Sequence, residues 1–401
     1  MTAAAQGRGR AATAEHARRH SGLPLFDRGY RPFFLGAGLF AALALPLWLA
    51  MLALGTALPS HLAGRDWHVH EMVFGYVGAV LAGFLLTAIP NWTGRLPVVG
   101  RPLALLAGLW LAGRIAMAVS AFAPVACAVI DAAFPAALAL VAWREVLAGK
   151  NTRNVPVCVA VNLFAVANIA FHGAVLADLD RDVAERAALA VIGVLICLVG
   201  GRIVPSFTRN WLVKRGATAL PAPFGTVDKA TLAATVAAGI AWTAAPGSIA
   251  TAVLAAVAAA LLAWRLARWR GWATTAEPLV LILHLGYLWL PVWLALTAAQ
   301  AAWPAAIDPS TAVHALTAGA IGTMTIAVMT RATLGHSDRP LTAGPLTVTV
   351  YLLVLAGAIL RVLAMLLPFD PLALLTAAGL AWATGFLLFA VGYAPIFLSR
   401  R

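Results

Sequence analysis

Residues 67–89 read WHVHEMVFGYVGAVLAGFLLTAI: Trp67, His68, Val69, His70 and Glu71, then an uncharged run from Met72 to Ile89. A run of this length crosses a hydrocarbon core as a helix, at about 1.5 Å per residue and about 20 residues per crossing. It does not alternate with period two, which rules out the strand of a membrane barrel. The polarity is confined to the mouth of the segment, where two histidines and a carboxylate lie within four residues.

The rest of the chain repeats that apolar character. Of 401 residues, 62% are hydrophobic and 11% charged, against about 25% charged in an average soluble protein. Too few polar side chains are present to cover a soluble globule. The chain therefore reads as all-α, a polytopic transmembrane helix bundle in a lipid bilayer.

Runs between charged and Pro/Gly breaks give about twelve spans, at 33–54, 70–89, 102–122, 124–143, 155–177, 187–206, 230–246, 248–264, 278–298, 311–330, 345–367 and 371–398. The seventh and eighth are short and Ala-rich, and could form one hairpin that dips in and returns. Residues 1–31 form a basic tail expected to be mobile at least as far as His20; residues 32–401 form a single transmembrane domain. With both termini cytoplasmic, 23 of the 28 Lys and Arg residues fall on the cytoplasmic side, and only Arg65, Arg181 and Arg186 fall outside. This is the positive-inside pattern. It accounts for the net charge of +13 without nucleic acid as a partner. Cys127, Cys158 and Cys197 lie in apolar segments with no CxxC pair, as small buried hydrophobes.

Two arginines remain inside spans, Arg114 and Arg361, and Asp131 joins them. Each sits roughly 10–12 Å below the outer face. Buried charges cost about 2.5–3.5 kcal/mol on insertion scales and so face partners. An Arg114–Asp131 staple and a polar chamber in the outer half both satisfy that rule.

Five of the nine histidines are in or beside spans: His68, His70, His172, His284 and His314. All but His284 fall within roughly 8 Å of one level near the outer side. Imidazoles from facing helices are how membrane bundles hold transition metals and haem iron. On a helix, His68 and His70 point about 200° apart and could serve two centres, or one centre and one hydrogen-bond network. On an extended segment they share a face and could grip one ion together. Glu71 is placed to orient an imidazole or to carry protons. Glycines after His70 and His314 allow close helix packing, or leave room for a flat macrocycle.

The chain resembles the NnrS family of bacterial membrane proteins. The stretches that carry the likeness are Phe26–Phe34, Trp67–Met72 with Phe74-Gly75, Ala88–Gly94, Gly201–Thr208, Leu283–Tyr287 and His314–Thr317 running through to His336. The resemblance implies a multi-pass protein of the bacterial inner membrane, with haem (b-type) and copper as cofactors and nitric oxide as partner. It implies a part in the response to nitrosative stress in denitrifiers and pathogens. The family-pattern histidines are His68, His70, His284, His314 and His336. The expected metal ligands are His68, His70, His314 and His284, with His172 added to the cofactor site by its depth. Arg361 and Arg114 are matched to haem carboxylates, and Glu71 to proton delivery. Whether nitric oxide is reduced or only bound stays open. Reduction needs a quinol or other electron donor, since no CxxCH or cysteine cluster is present. The rival class is a twelve-helix secondary transporter without haem. It is weakened by the absence of an acidic residue in the basic loop Asn91–Arg101.

Overall fold

The computed structural model describes residues 22–367 and 371–399. The expected mobile tail, with His16 and His20, lies outside them except for its last ten residues. Among the described residues there are twelve long helices and no strands. They are α1 Tyr30–Leu54, α2 Gly64–Thr93, α3 Arg101–Ala118, α4 Pro124–Ala148, α5 Val155–Leu176 and α6 Asp182–Lys214. They continue as α7 Thr226–Ala244, α8 Ile249–Ala267, α9 Pro278–Ala302, α10 Pro309–Gly335, α11 Pro345–Leu363 and α12 Pro371–Leu398.

Eleven of these are long and apolar enough to cross a membrane. The remaining one, α7, has 19 residues, but Asp228 and Lys229 occupy its first turn. The short seventh and eighth segments of the sequence are thus two separate helices, joined through Ala245–Ser248. Helix ends are fixed by local chemistry. Proline opens α4, α9, α10 and α11, where no backbone N–H is needed. The carboxylates of Asp308 and Glu277 and the hydroxyl of Ser248 accept from backbone N–H groups of the first turns of α10, α9 and α8. Gly55 and Gly94 close α1 and α2 with positive φ.

The helices gather into two compact units, Met1–Arg181 with Phe389–Arg401, and Asp182–Leu388. In the first unit α1 packs along α2, α3 along α4, and α4 along α5. Phe34 fills the notch left by Gly83, where a methyl would stand 2.6 Å from its ring. Arg31 is buried and donates to the carbonyls of Pro24 and Ser399, 2.8 and 2.7 Å away. That cation satisfies carbonyls at the C-terminal end of α12.

In the second unit α6 to α10 pack in succession. Its buried cation is Arg265, which donates to Asp228 at 2.8 Å, to the Tyr287 hydroxyl at 2.9 Å and to the Cys197 carbonyl at 3.0 Å. Gly201 leaves the space for its guanidinium.

Two helices are not α throughout. In α2 the segment Glu71–Val77 is π-helical, and in α10 so is Ala315–Ile321. Wide turns of this kind are uncommon and concentrate at functional positions.

Candidate metal centre

The start of α2 is helical from Gly64 to His70, so His68 and His70 point to different sides. His68 stacks on Trp48, ring centroids 5.0 Å apart and planes within 14°. His70 turns inward and is fully buried. Of the two arrangements open to the His-Val-His spacing, the helical one is found.

Four helices of the first unit converge on His70. Its Nδ1 lies 2.9 Å from Oε1 of Glu71, the first residue of the π segment. Its Nε2 lies 3.0 Å from Oδ2 of Asp131 on α4 and 3.2 Å from Nε2 of His172 on α5. His172 Nε2 is itself 2.9 Å from the same Asp131 oxygen. Asn168, one turn before His172, donates from Nδ2 to that oxygen at 2.9 Å. Arg114 of α3 closes the set, donating to Oε1 of Glu71 and to Oδ1 of Asp131. All six side chains are buried. Phe74 and Phe171 cover the His70 ring at 5.2 and 5.4 Å.

The local sequence explains why these groups meet. Gly75 leaves a notch into which the Arg114 guanidinium fits; a methyl there would collide with it. Gly113 does the same for Asp131, one residue from Arg114. Trp110 Nε1 donates to the Gly75 carbonyl at 2.9 Å, occupying an oxygen at the wide turn.

This arrangement suits a metal ion. Two ring nitrogens and one carboxylate oxygen point at a common spot with edges of 2.9, 3.0 and 3.2 Å. Ligands about 2.0–2.1 Å from a tetrahedral ion stand about 3.3 Å apart, so a small relaxation seats one. The Glu71 carboxylate selects Nδ1–H on His70 and leaves its Nε2 lone pair directed at the spot, the carboxylate–histidine–metal pattern. Two Nε2 atoms cannot satisfy each other as two acceptors or as two donors, and Asn168 Oδ1 is buried with no hydrogen-bond partner among the described residues. A cation among them would accept both Nε2 lone pairs. Charge is compatible: Arg114 offsets one of the two carboxylates, and the second is offset by a metal ion or by a proton shared with His70, whose ring nitrogens face Glu71 and Asp131. The notches of Gly75, Gly319 and Gly322 are filled by Arg114, Trp289 and Trp382, so in this structure they serve side-chain packing.

Of the residues singled out in the sequence, the structure brings together His70, His172, Glu71 and Arg114, with Asp131. His68 is on the Trp48 side of α2. His314, on α10 in the second unit, has Nδ1 2.8 Å from the Ser310 carbonyl. His284 has Nε2 2.8 Å from the Thr208 hydroxyl and its ring against Gly271. Arg361 on α11 is half-buried, with Nη1 lacking a hydrogen-bond partner among the described residues. Asn168 was not anticipated. An amide four residues before His172, one of two in α5 with Asn162, was the available signal. The π segments were not anticipated either.

Fold and site together define a class: a multi-pass helical membrane protein with a buried histidine–carboxylate–arginine centre inside its first five helices. The family model described as NnrS protein matches residues 24–401. The chain belongs to the NnrS family. No curated protein matches it.

Proposed function

We propose that this chain is a metal-dependent protein of the bacterial inner membrane that acts on or responds to nitric oxide, with copper held by His70, His172 and Asp131. One observation carries the reading: the convergence of His70 Nε2, His172 Nε2 and Asp131 Oδ2 within 3.2 Å of one another. Nitric oxide enters this reading as what the resemblance to the NnrS family implies.

Copper, when bound, supplies an open coordination position and a one-electron couple. The chain's own groups do the rest. Glu71 holds the Nδ1 proton of His70 and so fixes which nitrogen faces the ion. Arg114 balances Glu71 and Asp131. The buried rings of Phe74 and Phe171 keep water off the His70 edge. Haem is the family's other expectation, and His314 is its first candidate ligand. The Ser310 carbonyl selects Nδ1–H there and leaves Nε2 with its lone pair. Turnover would need an outside donor such as quinol.

A secondary transporter is the reading from another class, favoured by the buried Asp131, Arg114 and His70, since such groups also line ion pathways. Purification after growth with ample copper and iron separates the two. Stoichiometric copper that is lost in His70→Ala and His172→Ala, with nitric oxide perturbing its spectrum, is the expected outcome. Wild-type protein that is free of copper and of a Soret band overturns the proposal in favour of the carrier.

A further inference from the structure

The helix that carries His70 has a counterpart. α2 is α-helical over Gly64–His70, π-helical over Glu71–Val77, and α-helical again from Gly78. α10 is α-helical over Pro309–His314, π-helical over Ala315–Ile321, and α-helical again from Gly322. The π segments start at 71 and 315, 244 residues apart. The same displacement relates His70 to His314, Gly75 to Gly319 and Gly78 to Gly322.

The match continues without a gap. Gly100 and Gly344 are the N-caps of α3 and α11 at the same displacement. Leu111-Ala112-Gly113 and Ile115 then correspond to Leu355-Ala356-Gly357 and Ile359. The flanking helices agree too. α1 and α9 each have 25 residues and pack on the π-bearing helix. α4 and α12 open at Pro124 and Pro371. A methyl on Gly113 would meet Asp131, and one on Gly357 would meet Ala378 and Trp382. That pairs Asp131 with Ala378. Such π segments are rare, and two of equal length behind the same histidine and glycines mark a common origin.

The copies differ in charge. Glu71, Arg114 and Asp131 correspond to Ala315, Ala358 and Ala378, and all three alanines are buried. Where Arg114 fills the Gly75 notch, the Trp289 ring fills that of Gly319. The second copy thus builds the same helix–π–helix hairpin with no charge at any of the three positions. A staple required by the scaffold would be needed in both.

We infer that residues 30–148 and 278–398 are two copies of one four-helix module, and that Glu71, Arg114 and Asp131 form a cation-holding set built onto a scaffold that folds without it. Within the set, Glu71 and Arg114 are positioning residues acting on His70 and Asp131. The identity of the cation rests on the copper reading above; the dispensability of the set for folding does not. The net negative charge of the three calls for a positive partner, a metal ion or the protonated ring of His70, because an unmatched charge in a bilayer interior is costly.

The test is the volume-matched neutral variant Glu71→Gln/Arg114→Met/Asp131→Asn, compared in detergent with the wild type and with Arg114→Met alone. The triple variant is expected to fold, with a melting temperature within a few degrees of wild type. It should bind Cu2+ at least tenfold more weakly. Arg114→Met alone should melt clearly lower. Arg114→Lys should keep Cu2+ but change its EPR signature, a readout that a merely structural pair would not move. A triple variant that aggregates, or that melts as low as Arg114→Met, overturns the inference by showing a staple. A folded triple variant that binds Cu2+ like wild type overturns it too. Wild type that binds no Cu2+ sinks the proposed function, and the cation role with it; equal stability of the triple variant would then still support dispensability.

Discussion

His70 and His172 present their Nε2 atoms to each other across 3.2 Å, and both reach one oxygen of Asp131. Both nitrogens can donate to that carboxylate oxygen, and with a metal ion among them both would turn lone pairs to the ion instead. Removing either ring takes one of three ligands from such a centre. His70→Ala and His172→Ala should each lower copper retained after buffer exchange by tenfold or more. Glu71→Gln, which leaves the ligands intact but weakens the orientation of His70, should cost about 10- to 100-fold in affinity. Direct metal analysis on folded, monodisperse protein checks both; retention in His70→Ala would show that the ion sits elsewhere.

His68 offers the matching negative. It is two residues from His70 on a helical turn, and its ring lies flat on Trp48. His68→Ala should therefore leave copper content within about twofold of wild type, since no ligand is lost. Loss of copper equal to that of His70→Ala would mean that the first turn unwinds when metal binds and that both imidazoles swing to one face.

Arg114 pairs with two buried carboxylates at this centre, and its side chain is 5% exposed. Arg114→Met removes it and leaves Glu71 and Asp131 facing each other in an apolar interior. Breaking a buried pair from one side costs about 3–5 kcal/mol. Thermal unfolding in detergent should register that as a large drop. A change of only a degree or two would mean that Glu71 and Asp131 find another counter-charge.

The helical architecture was readable because bilayer physics leaves few options: apolar runs of span length, basic residues on alternate sides and too little charge to face water. The depth rule for His70 and His172 worked for the same reason, since each rises a known distance along a straight helix. What it could not supply was azimuth. Depth groups His314 with His70 but gives no direction around the helix, and it is direction that sets Asn168 on the face of α5 that meets Asp131. The π segments behind Glu71 and Ala315 were hidden because hydrophobic periodicity over seven residues barely separates 3.6 from 4.4 residues per turn. Asp131 and Arg114 were legible as a pair, but their joint use of Glu71 and His70 depends on the notches at Gly75 and Gly113.

Those notches give a last prediction. Gly75→Ala places a methyl against the Arg114 guanidinium, and Gly319→Ala places one against the Trp289 ring at the corresponding position of α10. Overpacking of this kind costs about 1–3 kcal/mol, so both variants should melt lower than wild type. Only the first should also lose copper, because only there does the displaced group hold Glu71 and Asp131. Gly108→Ala on α3 is the control: a methyl there meets nothing within 4 Å, and alanine favours a helix over glycine by up to about 1 kcal/mol. It should be neutral or slightly stabilising. Equal copper loss in Gly75→Ala and Gly319→Ala would instead tie the two glycines to a single metal centre, against the assignment of the site to the first five helices.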